Sequence, residues 1–361
     1  MHTIDLRLKN GNYKILIGHG ILPQLGSAVG RLPIGRDAVV VTNPRIRKLY
    51  AGTIIKSLQR RGFSVRIFTV PDSERSKSSE IAFRLIEKIA RYDTKRKIFI
   101  VALGGGVVGD LAGYVAATYK RGVPYVQVPT TLLAQIDSAI GGKVAIDLPM
   151  GKNLVGTFYQ PRLVYSDVSL LKTLDKRQIR NGLAEAVKYG VIRDRKLFSY
   201  LEANYQKVLA GNAKVLAEIV RRCSTIKSQV VMADETETRG IRTILNFGHT
   251  LGHAIEAAGG YRSYHHGEAV ALGMQIAGDI SCRMKLWGQR ESLRLAHLLT
   301  AIGLPSRLQK INLNRVLKIM AHDKKFKSGK NRFVLPFSIG KVRVLEGIPH
   351  KVILAAVKSR Q

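Results

Sequence analysis

The first half of the chain repeatedly places a short apolar run ahead of a stretch with helical periodicity. Runs at 13–17, 38–42, 64–70, 98–103 and 125–128 are β-branched or apolar, and segments such as 78–91 carry apolar residues at helical spacing between them. Strands joined through helices pair in parallel, because each crossover returns the chain to its starting edge, and such a sheet needs helices on both faces. The expected fold class is an α/β, Rossmann-like parallel-sheet domain. After Pro161-Arg162 the period becomes helical, at 176–189, 196–210, 213–232, 249–258 and 268–284. A mainly α-helical second domain is therefore expected, with a late β-hairpin over 332–345 turning at Ser338-Ile339-Gly340. At 361 residues the chain exceeds one ordinary core. The expected domains are 1–165 and 166–361, with a cleft between them.

Composition narrows the classes of function. Hydrophobic residues make up 45% of the chain, which argues against disorder, and no apolar run reaches the ~18 residues that span a bilayer. The first ten residues alternate charge and hydrophobe instead of forming a signal peptide, so a cytoplasmic protein is expected. Cys223 and Cys282 are too few for a disulfide framework and are expected to be reduced, buried thiols. The abnormal quantity is charge: 59 Lys and Arg against 25 Asp and Glu give +34. Clustered cations bind nucleic acid by releasing counterions from phosphates. Here the positives are spread along the whole chain without aromatic interleaving, so a solvated basic surface is the simpler reading. Such a surface also steers small anions toward a cleft.

The strand at 98–103 runs straight into glycines, KIFIVALGGGVVGD, and a helical stretch follows. There the backbone can approach a pyrophosphate, and the helix N-terminus favours its charge. Gly104, Gly106 and Gly109 satisfy GxGxxG, which alone is a weak signal. The next strand ends in Pro129-Thr130-Thr131 without the usual ribose-binding acid, for which Glu74, with Lys77 nearby, is the candidate. The segment PTTLLAQIDSAIGGKVAID then sets Asp137 and Lys143 among apolar residues and glycines, and KNLVGTFYQPR adds Lys152, Asn153 and Arg162. Three cations and an amide suit a substrate carrying carboxylate and phosphate.

A second chemistry lies in NFGHTLGHAIEAAGGYRSYHH. His249 and His253 stand one helical turn apart, and His265 and His266 return after a glycine-marked break. GLAEAVKYG sets Glu185 one turn from Lys188 on an otherwise apolar face. Two histidines and a glutamate would leave a zinc-type ion with open positions for a substrate hydroxyl or carbonyl. Spacing alone does not choose among His253, His265 and His266.

GGGVVGD, PTTLLAQIDSAIGGK, KNLVGTFYQP, GLAEAVKYG, NFGHTLGHAIE, HHGEAV and DKKFKSGKNRFVLP occur in the order and at the spacings that resemble the 3-dehydroquinate synthase family. The resemblance covers nearly the whole chain. It implies an NAD-binding first domain and a helical second domain that binds metal and substrate. Glu185, His249 and His266 would then ligate zinc, or cobalt in its place. His253 would carry protons, with Lys188, Asp137, Lys143 and Asn153 also at the reacting centre. Substrate would contact Arg121, Lys143, Lys152, Asn153, Lys227, Arg242 and Asn246, and one of Lys324 and Lys325. NAD would contact Asn43, Glu74, Lys77, Gly105, Gly106, Val107, Asp110, Thr130, Thr131, Asp137, Lys143, Lys152 and Thr173. Arg121 would reach in from a neighbouring subunit, which makes a homodimer the expected assembly.

The family's reaction joins these residues. Its substrate, 3-deoxy-D-arabino-heptulosonate 7-phosphate, is an acidic sugar phosphate that undergoes transient oxidation at C5 with NAD, phosphate elimination, hydride return and intramolecular aldol closure. A related sugar-phosphate cyclase or a metal-dependent polyol dehydrogenase is the alternative within the fold, and a nucleic-acid-binding protein the alternative outside it. Lys143, Lys152 and Asn153 weigh against a polyol, which needs no anion clamp. Two segments depart from the family pattern. TLDKRQ stands for the usual TLPxRE, with Asp175 and Gln178, and GGKVAID puts Val144 beside Lys143 where a small polar residue is usual.

Overall fold

A computed structural model of the chain describes residues 1–93, 96–309, 311–322 and 331–361. Its strands are β1 (His2–Leu6), β2 (Tyr13–Gly18), β3 (Asp37–Thr42), β4 (Ser64–Thr69), β5 (Ile98–Gly104), β6 (Tyr125–Pro129), β7 (Lys143–Leu148), β8 (Gly151–Phe158), β9 (Leu163–Asp167), β10 (Arg332–Ser338) and β11 (Lys341–Glu346). Its helices are α1 (Leu25–Val29), α2 (Pro44–Gln59), α3 (Ser79–Tyr92), α4 (Gly106–Thr118), α5 (Lys176–Ile192), α6 (Arg195–Leu209), α7 (Ala213–Ala233), α8 (His249–Ala258), α9 (His266–Arg283), α10 (Gln289–Ile302), α11 (Leu313–His322) and α12 (His350–Lys358). One compact unit comprises Met1–Leu174 with Leu216–Thr236, and the other Asp175–Val215 with Glu237–Gln361.

The first unit is built on a sheet of order β1-β2-β9-β6-β5-β3-β4, parallel except where β1 meets β2. Successive residues point to opposite faces of a strand, and both faces here are covered. Val39, Val41, Ile98, Ile100 and Ala102 pack with α3 and α4, while Ala38, Val40, Phe99, Val101 and Leu103 pack with α1 and α2. That double burial explains the unbroken apolar runs of β3 and β5.

Two sheet strands depart from the expected pattern. β1 pairs Leu6 with Tyr13 and His2 with Ile17, and its side chains are mostly exposed, as an edge strand allows. β9 lies where helical periodicity was expected to begin. It is buried throughout and pairs with β2 and β6. Residues 143–158, whose polar members suggested contact with an anionic substrate, form the hairpin β7–β8 with a register irregularity between Ile146 and Leu148.

Helices start where side-chain acceptors are available. Asn43, Ser78, Asp175 and Asp194 each accept a hydrogen bond from the backbone N–H three residues on. Asp175 thus has a clear structural use, since it caps α5 through the Gln178 N–H at 2.8 Å. Val144 does too: it is 2% exposed, and its Cγ1 would stand 2.3 Å from a Cβ placed on Gly113. It belongs to the packing of β7 on α4. Cys223 is buried, whereas Cys282, in the last turn of α9, is only partly so, contrary to expectation.

In the second unit α5, α8 and α9 pack around small residues. A Cβ on Gly273 would lie 1.9 Å from the Gly248 carbonyl oxygen, so α9 passes directly over the start of α8. Gly248 itself has φ +79°, the left-handed conformation that glycine adopts at no steric cost. The hairpin β10–β11 turns at Ile339-Gly340, and the Gly340 N–H donates to the Val191 carbonyl at the end of α5.

Candidate active site

Each unit gathers its own set of charged groups. In the second, three helices bring Glu185, His249 and His266 together, with one donor atom from each lying within 4.8 Å of the others. Glu185 sits on α5 and is fully buried, His249 opens α8, and His266 opens α9. The glutamate Oε1 lies 3.4 Å from His249 Nε2 and 3.3 Å from His266 Nε2. Both imidazoles are oriented from behind. His249 Nδ1 lies 3.1 Å from the Phe247 carbonyl oxygen, which can only accept, so Nδ1 carries the proton and Nε2 offers its lone pair. Burial pushes the His249 imidazole down to about 3 against the pull of Glu185, which leaves it neutral at physiological pH. His266 Nδ1 lies 3.2 Å from Glu256 Oε2. Burial opposes charge on this second ring, yet the hydrogen bonds it donates to Glu185 and Glu256 outweigh that and hold its pKa up at about 10. The donor set is thus one carboxylate and two ring nitrogens turned toward a common point. It fits a divalent, zinc-type ion with three protein ligands.

Contacts between helices fix this geometry. Asn181, one turn before Glu185 on α5, accepts from the Gly267 N–H next to His266. Arg177, a further turn back, makes a two-pronged pair with Glu268 at 2.7 and 2.9 Å. Glu268 in turn accepts from the His265 N–H at 2.9 Å, so His265 serves the start of α9. Lys188 is 1% exposed and pairs with Glu185. His253 is exposed, with its ring 5.3 Å from that of His249 and 6.1 Å from that of His266. Arg242, buried and 3.5 Å from Glu237, precedes Asn246 in the turn Ile241–Asn246. Lys324 and Lys325 lie outside the described residues.

The first unit places its expected residues around the ends of β5 and β6. Gly105 caps α4 in extended conformation without a side chain, leaving the first backbone N–H groups of the helix available. A Cβ on Gly105 would come within 3.0 Å of Thr131 Cγ2, and one on Gly106 within 3.0 Å of Ser138 Oγ, so the turn holds backbone where any side chain would crowd it. That cradle fits a pyrophosphate. Val107 follows on α4, Thr130 is buried against the end of β5, and the Thr131 hydroxyl accepts from the Ala134 N–H. Lys77, 4% exposed, reaches Asp110 at 2.7 Å and Asn153, with Asp147 at 4.0 Å. Burial works against its charge, but Asp110 more than compensates and raises its pKa, while burial of Asp110 raises the carboxyl's own. Asn153 takes φ +56° and donates its N–H to Asp147.

Several expected residues find other partners. Glu74 pairs with Lys152 at 3.2 Å, not with the neighbouring Lys77. Asp137, on a π-turn at Ala134–Ser138, holds Lys227 of α7 at 2.7 Å. Asn43 bridges the cap of α2 to Asp72, and the Thr173 hydroxyl meets that of Tyr50 at 2.6 Å. Lys143 is exposed at the start of β7, 6.0 Å from the Phe158 ring. Arg121 is exposed in a left-handed turn with φ +64°, between Lys120 and Gly122, which also have positive φ. Sequence reasoning passed over Asp147, Glu256 and Asn181. Only Glu256 carried a signal: it follows His249 by seven residues, two turns along the same helix face.

The N-terminal model of 3-dehydroquinate synthase matches residues 67–181, and the C-terminal model matches 182–326. A 3-dehydroquinate synthase of Pelotomaculum thermopropionicum is 46% identical over 355 residues, covering 98% of this chain and 95% of that protein. Crystallised 2-deoxy-scyllo-inosose synthase, in complex with carbaglucose-6-phosphate, NAD+ and Co2+, superposes with a TM-score of 0.90 at 26% identity over 100% of both chains. The 2-epi-5-epi-valiolone synthase of Streptomyces hygroscopicus subsp. jinggangensis, with NAD+ and Zn2+ bound, gives 0.89 at 26% identity over 98% of each. No helix among the described residues is long and apolar enough to cross a membrane. The chain belongs to the 3-dehydroquinate synthase family.

Proposed function

We propose that the protein converts 3-deoxy-D-arabino-heptulosonate 7-phosphate to 3-dehydroquinate and inorganic phosphate, using NAD and a zinc or cobalt ion, as a cytoplasmic homodimer. The observation that carries this reading is the convergence of Glu185, His249 and His266 on one point. When bound, a zinc-type ion supplies Lewis acidity at a substrate hydroxyl, and NAD supplies reversible hydride acceptance.

The chain's own residues do the rest. Glu185, His249 and His266 hold the ion. The backbone of Gly105, Gly106 and Val107 receives the cofactor's pyrophosphate, with Asn43, Glu74, Lys77, Asp110, Thr130, Thr131 and Thr173 around it. Lys143, Lys152, Asn153, Lys227, Arg242 and Asn246 clamp the substrate's carboxylate, hydroxyls and phosphate, and Arg121 adds to that clamp from the neighbouring subunit. His253, exposed beside the donor group, exchanges protons at an imidazole nitrogen, and Asp137 and Lys188 orient the reacting hydroxyls. Holding a flexible open-chain sugar phosphate in one pose supplies much of the acceleration, because elimination and ring closure are then intramolecular.

The test is a phosphate-release assay with the heptulosonate phosphate, NAD and zinc. Phosphate should appear in step with 3-dehydroquinate and without net NADH. Chelator should abolish turnover, and zinc or cobalt should restore it. Accumulation of NADH with glycerol-like alcohols, or no phosphate from metallated protein, would sink the proposal. Chromatography with light scattering tests the homodimer.

A further inference from the structure

We infer that Glu256 is a positioning residue for the metal centre, holding His266 in the tautomer and rotation that present Nε2 to the ion. The inference rests on the reading that Glu185, His249 and His266 hold that ion. Glu256 is 6% exposed, and its Oε2 lies 3.2 Å from His266 Nδ1. A carboxylate accepts, so Nδ1 keeps a proton for Glu256, and Nε2, 3.3 Å from Glu185, is the nitrogen whose proton an ion would replace. His249 is treated alike from the other side, where the Phe247 carbonyl takes its Nδ1 proton. The two ligating rings therefore have unequal supports, a neutral carbonyl for one and a carboxylate for the other. The carboxylate makes His266 the more basic donor.

The same atoms offer a rival arrangement. His253, Glu256 and His266 also bring donor atoms within 4.8 Å of one another, and they share His266 with the first group. An ion there would take Nδ1 and displace the proton that Glu256 accepts. Burial separates the two. Glu185 is fully buried and His249 is 8% exposed, whereas His253 is open to solvent. A dry pocket with a buried carboxylate strengthens its hold on a cation.

Zinc affinity of the metal-stripped, full-length protein, measured by competition with a chromophoric chelator, decides the matter. Thermal melting of each stripped variant runs beside it. Glu256→Ala should weaken zinc binding about 10–100-fold, the range for removing an outer-shell partner of a metal-bound histidine. Glu256→Gln, whose amide oxygen can still accept from Nδ1, should recover most of that loss. Glu185→Gln should cost more than either. Wild-type affinity in Glu256→Ala overturns the inference, even if the stripped variant melts lower, because a merely structural role moves melting alone. Loss of binding in Glu256→Gln with retention in Glu185→Gln also overturns it and places the ion at the rival group. A wild-type protein that binds no zinc instead overturns the underlying reading of the centre.

Discussion

Gly273→Ala tests how tightly metal binding is tied to the packing of two helices. A Cβ at this position would lie 1.9 Å from the Gly248 carbonyl oxygen and 2.9 Å from the Gly252 nitrogen, both backbone atoms that no rotamer change can move. Ordinary contact begins at 3.4 Å, so α8 and α9 must part by about 1.5 Å at this level. Gly248 immediately precedes His249, and Gly273 lies two turns along α9 from His266. The displacement therefore opens the distance between two ligands that need to meet at one ion. Overpacking of this kind costs about 1–3 kcal/mol, and rigid backbone on one side puts this site at the upper end. At roughly 2–4 °C per kcal/mol for a unit of this size, the stripped protein should melt about 5 °C or more below wild type. Zinc affinity should fall at least about tenfold, as when a ligand's surroundings are disturbed. Gly288→Ala is the matched control, because a Cβ there meets nothing within 4 Å. Calorimetry and chelator competition supply the two readouts. Wild-type zinc affinity in a Gly273→Ala protein that melts lower would refute the coupling between packing and metal geometry.

Asn181→Ala removes the acceptor for the buried Gly267 N–H beside His266, which should cost about 1–3 kcal/mol in urea unfolding and lower zinc affinity in the same variant. Lys77→Met leaves Asp110 and Asp147 without their buried cation and should destabilise the NAD-free protein by about 3–5 kcal/mol, with Asp110→Asn recovering part of the loss in a double-mutant cycle; strict additivity would contradict the pairing. Hydrogen bonds from Arg221 and Arg222 lower the Glu218 carboxyl from 4.5 to about 2 in the folded protein, despite the opposing effect of burial. A depressed carboxylate stabilises above its unfolded pKa and ceases to do so as pH falls through the folded one. The melting advantage of wild type over Glu218→Gln should therefore be full at neutral pH and fade between pH 4.5 and about 2.

What the sequence makes legible follows from where the information sits. β3 and β5 are apolar on both faces, so their runs stand out without knowledge of any partner. β9 reads LVYSD, and its Ser166 and Asp167 are buried through contacts with distant segments: Asp167 accepts from the Gly20 and Leu22 N–H groups. Nothing local marks it as a strand. The histidine pair has the same limit. One helical turn between His249 and His253 suggests joint ligation, yet the group that includes His249 takes its other members from α5 and α9. Helical spacing cannot report which residue of another helix faces the cluster. Likewise Val144, which departs from the family pattern next to Lys143, packs on Gly113, and only the tertiary contact shows why an apolar residue suits that position.

The sheet-bearing unit is interrupted in sequence: Leu216–Thr236 belongs to it, although Asp175–Val215 comes between. Its last piece contributes Lys227, the partner of Asp137, and Ser224, whose hydroxyl donates to the Gln135 carbonyl. During synthesis β1 to β9 have all left the ribosome before that piece is translated. The nascent sheet must wait for the Lys227 ammonium until a stretch of the helical unit has also emerged. The order of translation thus interleaves the maturation of the two units, and a ribosome stalled between 174 and 216 holds a chain in which neither can be finished.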